Sequence, residues 1–119
     1  MEILKLLDRA AGVNTYEIQD YKRWSDGFYY RLKVVFADKS VLFAREYVDP
    51  AEKHYAFHWQ NKENLMIMRW DNAPHHRDIS TFPHHRHSDK EISESTDISI
   101  EEIFEIILKR VHNNVSEKT

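Results

Sequence analysis

Residues 28–36 read Phe28, Tyr29, Tyr30, Arg31, Leu32, Lys33, Val34, Val35, Phe36. Phe28, Tyr30, Leu32, Val34 and Phe36 fall on one side of a two-residue period, and Tyr29, Arg31, Lys33 and Val35 on the other. Successive side chains of a strand point to opposite faces, so this stretch predicts a strand with one fully apolar face. Working toward the N-terminus, Asp26-Gly27 predicts a two-residue hairpin turn, because glycine accepts positive φ without a Cβ clash. Before it, residues 15–24 alternate Tyr16 and Ile18 against Glu17 and Gln19, a preceding strand. Working toward the C-terminus, residues 37–40 form a polar turn, and residues 41–48 alternate again. Asp49-Pro50 stops that strand, since proline has no N–H for the ladder.

Residues 53–60 place Tyr55, Phe57 and Trp59 on one face and His54, Ala56, His58 and Gln60 on the other. Residues 61–64 turn, and residues 65–71 form a fifth strand. The connections are too short for the crossovers that parallel neighbours require, which predicts an antiparallel meander of about five strands. At the start of the chain, Ile3, Leu4, Leu6, Leu7, Ala10 and Ala11 recur at helical spacing before Gly12, predicting a short N-terminal helix. Near the end, Ser99 and Glu102 form a capping box, and Ile100, Ile103, Phe104, Ile107, Leu108 and Val111 build one apolar stripe. The expected architecture is α+β: an antiparallel sheet with an N-terminal helix and a C-terminal amphipathic helix packed on it. One domain spans 1–112, with a histidine-rich loop at 72–95 and a flexible tail at 113–119.

The 119 residues suffice for one core. The longest apolar runs are too short to span a membrane, and no signal peptide is visible, so a cytoplasmic protein is expected. The absence of cysteine excludes disulfides and thiol catalysis. The formal charge of -3 argues against a general polyanion binder. Eight histidines modify it: at a pKa near 6.5 about a quarter of each is charged at pH 7, which brings the net charge to about -1.

Five of those histidines, His75, His76, His84, His85 and His87, lie in the stretch from Arg69 to His87, where Pro74 and Pro83 each precede a His-His pair. Proline stiffens the backbone that presents the imidazoles. If residues 84–87 are extended, His85 and His87 share a side, with Cα atoms roughly 6.5–7 Å apart, and His84 takes the other. Imidazole titrates near neutrality, so one histidine can act as base and another as acid in phosphodiester cleavage. His76, His85 and His87 are the acid–base candidates. Arg69 and Arg86 are candidates for stabilising phosphate charge, and Asp71 for orienting a histidine. His58, His75 and His84 are further substrate-binding candidates, His58 because a 61–64 hairpin would place it beside Arg69. No cofactor is expected on this reading. The alternative is a non-catalytic protein whose loop docks a partner or holds a divalent metal such as zinc on His75, His76, His85 and His87, although no established ligand spacing is present. Arg31, Lys33 and Arg45 read as a solvated charged face, with a basic RNA-binding surface as the alternative. His112 reads as a helix-end residue favoured by the dipole.

The run Arg69-Trp70-Asp71-Asn72-Ala73-Pro74-His75-His76, followed by Thr81-Phe82-Pro83-His84-His85-Arg86-His87, resembles the TumE-type toxins of prokaryotic toxin–antitoxin modules. Tyr55 and His58-Trp59-Gln60 fit the same pattern. The resemblance implies a small toxin neutralised by a cognate helix-turn-helix antitoxin. Action on RNA, as a metal-independent endoribonuclease, is the expectation drawn from the histidine chemistry. Exposed strand edges are compatible with a homodimer.

Overall fold

The structure is a computed structural model that describes residues 5, 7–8, 11–72, 83–88, 91–94 and 98–117, without the side chains of 85, 91–94 and 115–117. Its centre is one antiparallel sheet in which every strand pairs with its neighbours in chain order. The strands are β1 (Val13–Trp24), β2 (Gly27–Phe36), β3 (Val41–Val48), β4 (Lys53–Gln60), β5 (Met66–Asp71), β6 (His85–Ser88) and β7 (Glu91–Glu94). A helix, α1 (Ile100–Glu117), follows.

The two-residue period decides which face is covered. Tyr30, Leu32, Val34 and Phe36 of β2, Leu42 and Ala44 of β3, Phe57 and Trp59 of β4 and Trp70 of β5 are buried together with Ile103, Phe104, Ile107 and Val111 of α1. The rings of Phe36 and Phe104 meet edge to face at 6.0 Å, and the Arg110 guanidinium lies over Trp59 at 5.5 Å. Each apolar side chain removed from water in this way contributes roughly 1.5–3 kcal/mol before the entropy of ordering it. The capping box closes the front of α1: Ser99 Oγ accepts the Glu102 N–H at 3.2 Å, and Glu102 Oε1 accepts the Ser99 N–H at 3.4 Å.

Short polar side chains hold the turns. Asp49 Oδ1 accepts the Ala51 and Glu52 N–H groups, and Asn61 Oδ1 those of Glu63 and Leu65. Such bonds let Asp and Asn stand in for backbone partners. Asp38 does the same for Ser40 and also accepts a bond from Asn114 of α1. Burial raises the Asp38 pKa, but these hydrogen bonds outweigh it and hold the carboxyl below its usual value.

Four features differ from the sequence reading. The sheet has seven strands, because the segment 72–95, expected as a loop, contributes β6 and β7. At four residues each, these are too short to show a period of their own. The described elements contain no N-terminal helix: of residues 1–10, Lys5, Leu7 and Asp8 are described, each with helical backbone, too few to define an element. The expected tail continues as helix to Glu117, so His112 is not at the helix end; its Nε2 meets the Ala11 carbonyl at 2.9 Å. Finally, Trp24 pairs with Gly27, so the β1–β2 turn is Ser25-Asp26, one residue earlier than expected. Gly27 does not have left-handed φ there; a Cβ would strike the Val48 carbonyl and approach Trp24 Nε1 to 2.7 Å.

Candidate active site on the open face of the sheet

The face opposite α1 carries the complementary residues of each strand. Phe43 pairs with His58, His58 with Arg69, and Arg69 with His87. One residue pair along, Arg45 faces Ala56, Ala56 faces Asp71, and Asp71 faces His85. Directly paired residues in an antiparallel ladder point to the same side. The register thus aligns His58, Arg69 and His87 in one row, with Asp71 in the next.

Asp71 organises the cluster. It is 5% exposed, and its Oδ2 accepts the Arg69 Nε–H at 3.1 Å. His87 Nε2 lies 3.5 Å from the same oxygen, a contact that becomes an ion pair when the imidazole is protonated. A buried carboxylate requires such partners, since leaving it unpaired would be costly. Neighbouring Asn72, also buried, locks the end of β5 to the start of β4. Its Oδ1 accepts the Tyr55 N–H at 2.9 Å, and its Nδ2 donates to the Lys53 carbonyl at 2.7 Å.

His58 stands on the other side of Arg69. Its Nε2 pairs with Gln60 Oε1 at 3.2 Å, and Gln60 Nε2 donates to Asn64 Oδ1 at 3.0 Å. Burial and the Arg69 guanidinium hold the His58 imidazole below its ordinary pKa, against a smaller upward pull from the Gln60 bond. His58 is therefore mainly neutral at pH 7. With Nε2–H donated to Gln60, Nδ1 carries the basic lone pair. His58 and His87 are two strand spacings apart, about 9.5 Å between Cα atoms, with the guanidinium-bearing strand between them.

The family model for toxin TumE matches residues 3–115 of the 119-residue chain. The chain belongs to the TumE toxin family. No curated protein and no solved structure matches it significantly. Membership in TumE assigns the toxin role and implies an antitoxin partner in general. No described helix is long and apolar enough to cross a membrane.

Of the residues singled out in this TumE chain, Arg69, Asp71, His87 and His58 converge. His85 occupies the register position opposite Asp71, and its side chain lies outside the described residues. His75 and His76 also lie outside them. Arg86 pairs with Trp70, so it projects from the helix-bearing face, away from Arg69. His84 is also apart from the cluster: its Nδ1 bonds the Tyr55 hydroxyl at 2.9 Å, and the two rings stack at 5.8 Å. Among the described residues no three His, Asp or Glu side chains form a metal-binding group. The zinc alternative depends on His75, His76 and the His85 side chain, beyond the described part. The sequence reading assigned no role to Gln60, Asn64 or Asn72, although Gln60 and Asn72 lie within the stretches that carry the resemblance. Gln60 has a visible signal, its two-residue offset from His58 on the same strand face; the roles of Asn64 and Asn72 depend on turn and ladder geometry.

Proposed function

We propose that this TumE toxin cleaves RNA without a metal, using His58 and His87 on either side of Arg69. The observation that carries the reading is the row His58–Arg69–His87 with Asp71 bound to both Arg69 and His87. Neutral His58 takes the proton of a ribose 2′-hydroxyl, whose oxygen then attacks the adjacent phosphorus. Arg69 neutralises charge developing on the phosphate oxygens, with its Nε anchored by Asp71 and its terminal amino groups directed to substrate. His87 donates a proton to the departing 5′-oxygen. Because Asp71 takes Nε2, that transfer runs through Nδ1, as with an imidazole oriented by a carboxylate. The P–O5′ bond breaks as the P–O2′ bond forms, leaving a 2′,3′-cyclic phosphate and a 5′-hydroxyl. The neutralising partner in this proposal is a helix-turn-helix antitoxin.

Controlled expression in a bacterial host tests the reading. The wild type arrests growth and produces RNA fragments with 5′-hydroxyl ends, while His58→Ala and His87→Ala relieve the arrest and remain folded. Growth arrest with intact RNA would overturn the ribonuclease reading and leave the toxin role in place.

A further inference from the structure

The open face extends beyond the histidine row into an arginine pair for which the cleavage chemistry has no use. Arg31 of β2 and Arg45 of β3 are direct cross-strand partners, both exposed, and among the described residues neither forms an ion pair. Like charges directly opposite each other in a ladder are unfavourable, and an anion between them removes the penalty. Two strands further on, Arg69 projects from the same face. Ala56 lies between Arg45 and Asp71 in the ladder, and its small side chain leaves a depression there. The resulting groove, about 510 Å³, is lined by Arg31, Arg45, Arg69, His58, Tyr29 and Phe43.

Its rings are placed for stacking. Phe43 is 36% exposed, its ring centroid is 6.5 Å from that of His58, and Lys33 Nζ lies 5.9 Å from it. Tyr29 faces Tyr47 across the β2–β3 ladder. An exposed aromatic ring beside a cation accepts the face of a base and the adjoining backbone charge together. At the β1 edge, Asp20 opposite Arg31 and Glu17 opposite Lys33 place negative charge that repels a phosphate chain. The favourable path therefore runs from Arg31 and Arg45 past Phe43 toward the histidines.

We propose that this groove binds single-stranded RNA, with Arg31 and Arg45 holding a phosphate beside the scissile one and Phe43 stacking on a base next to His58. The proposal rests on the histidine row being the cleavage site, since it assigns the substrate of that row. Bases in a duplex are stacked on one another and cannot reach Phe43 or Tyr29, so the groove selects unpaired RNA.

The test is fluorescence anisotropy of the full chain with a short, labelled 2′-O-methyl RNA, which has no 2′-hydroxyl to attack. Each phosphate neutralised on a single strand contributes about 0.7 to the salt slope, so Arg31→Gln/Arg45→Gln, which releases one phosphate, lowers the slope by about 0.7. The same variant weakens binding by roughly tenfold or more, the expected loss for two charge-assisted contacts. Phe43→Ala weakens it at least about fivefold. In the unaltered protein, the ring protons of Phe43 and Tyr29 shift on titration with the oligonucleotide. Equal affinity for a duplex of the same sequence, an unchanged salt slope in the double variant, or unmoved ring signals would overturn the groove assignment. Cleavage is scored separately on an unmodified strand. Binding with these dependences but without cleavage would retain the groove and remove the histidine mechanism.

Discussion

Asp71 and His87 meet across the β5–β6 ladder, Oδ2 to Nε2 at 3.5 Å, although 16 positions separate them in the chain. The contact depends on β6 pairing with β5 so that His87 lies opposite Arg69 and His85 opposite Asp71. The same carboxylate oxygen holds Arg69 Nε. One buried acid thus positions both the cation assigned to the phosphate and the histidine assigned to the leaving group.

Asp71→Asn should separate charge from shape. The amide keeps the size of the carboxylate but removes the charge that anchors Arg69 and His87. Cleavage is expected to fall by about 10²–10⁴, the usual contribution of a positioned acid or base. Growth rescue in cells and the cleavage rate of an unpaired oligonucleotide check it, with circular dichroism to show that the fold is kept. A rate within twofold of wild type would remove Asp71 from the mechanism.

The His58 environment predicts its titration. Burial and the Arg69 charge both favour the neutral ring, so its midpoint should lie below the ordinary value of about 6.5. Replacing Arg69 with Gln removes a positive neighbour and must move that midpoint upward. In linkage terms, the folded state binds this proton less readily than the unfolded chain. Stability associated with neutral His58 is therefore present above about pH 6.5 and is lost as the pH falls through the lower folded midpoint. Histidine ring signals followed by NMR from pH 5 to 8 in both proteins provide the measurement; an unchanged midpoint in Arg69→Gln would contradict the electrostatic account.

Much of this was legible from alternation alone. β3 and β4 begin and end where their sequence patterns do, and the apolar face of β2 is the buried one. Placing Arg69 and Asp71 on one strand face, with His58 beside them, required only a hairpin at 61–64. A period of two also separates His85 and His87 from His84 and Arg86 once residues 84–87 are extended. What was not legible is pairing at a distance. Four-residue β6 is defined by its partner β5, and the Arg31–Arg45 opposition follows from the register set by the 37–40 turn. The Gly27 position shows a further limit: Asp26-Gly27 matched a turn by composition, while the chain turns at Ser25-Asp26.

Asn72 should be a stability residue with an indirect effect on the site. Its side chain bonds the Tyr55 N–H and the Lys53 carbonyl, and its own backbone N–H reaches the Tyr55 carbonyl at 3.4 Å. Asn72→Ala would leave a buried N–H without its side-chain acceptor, at a cost of about 1–3 kcal/mol. Urea unfolding should show a lower midpoint with an unchanged slope. Asn72→Asp keeps an acceptor for Tyr55 but sets an ionised, buried carboxylate against the Lys53 carbonyl, so near neutral pH it should not recover that loss.

Gly27→Ala tests the steric account of the β1–β2 turn. Elsewhere in the chain Gly12 has φ of +106°, where backbone strain penalises any side chain. Gly27 lacks that conformation, so strain would predict a nearly neutral change. Contact predicts a loss: the new methyl would meet the Val48 carbonyl on the neighbouring strand and the Trp24 indole, 2.7 Å from Nε1 and 2.8 Å from Cε2. The indole can swing away, whereas the carbonyl belongs to the β2–β3 pairing and cannot move without displacing it. A destabilisation of about 1–3 kcal/mol is expected, as for an inserted methyl in a packed site. Trp24 lies against Tyr47 with the rings tilted by 41° and their centroids 5.6 Å apart, so its displacement should also change tryptophan emission in the folded state. An unfolding midpoint equal to wild type would show that the indole alone makes room and that Val48 does not constrain the turn.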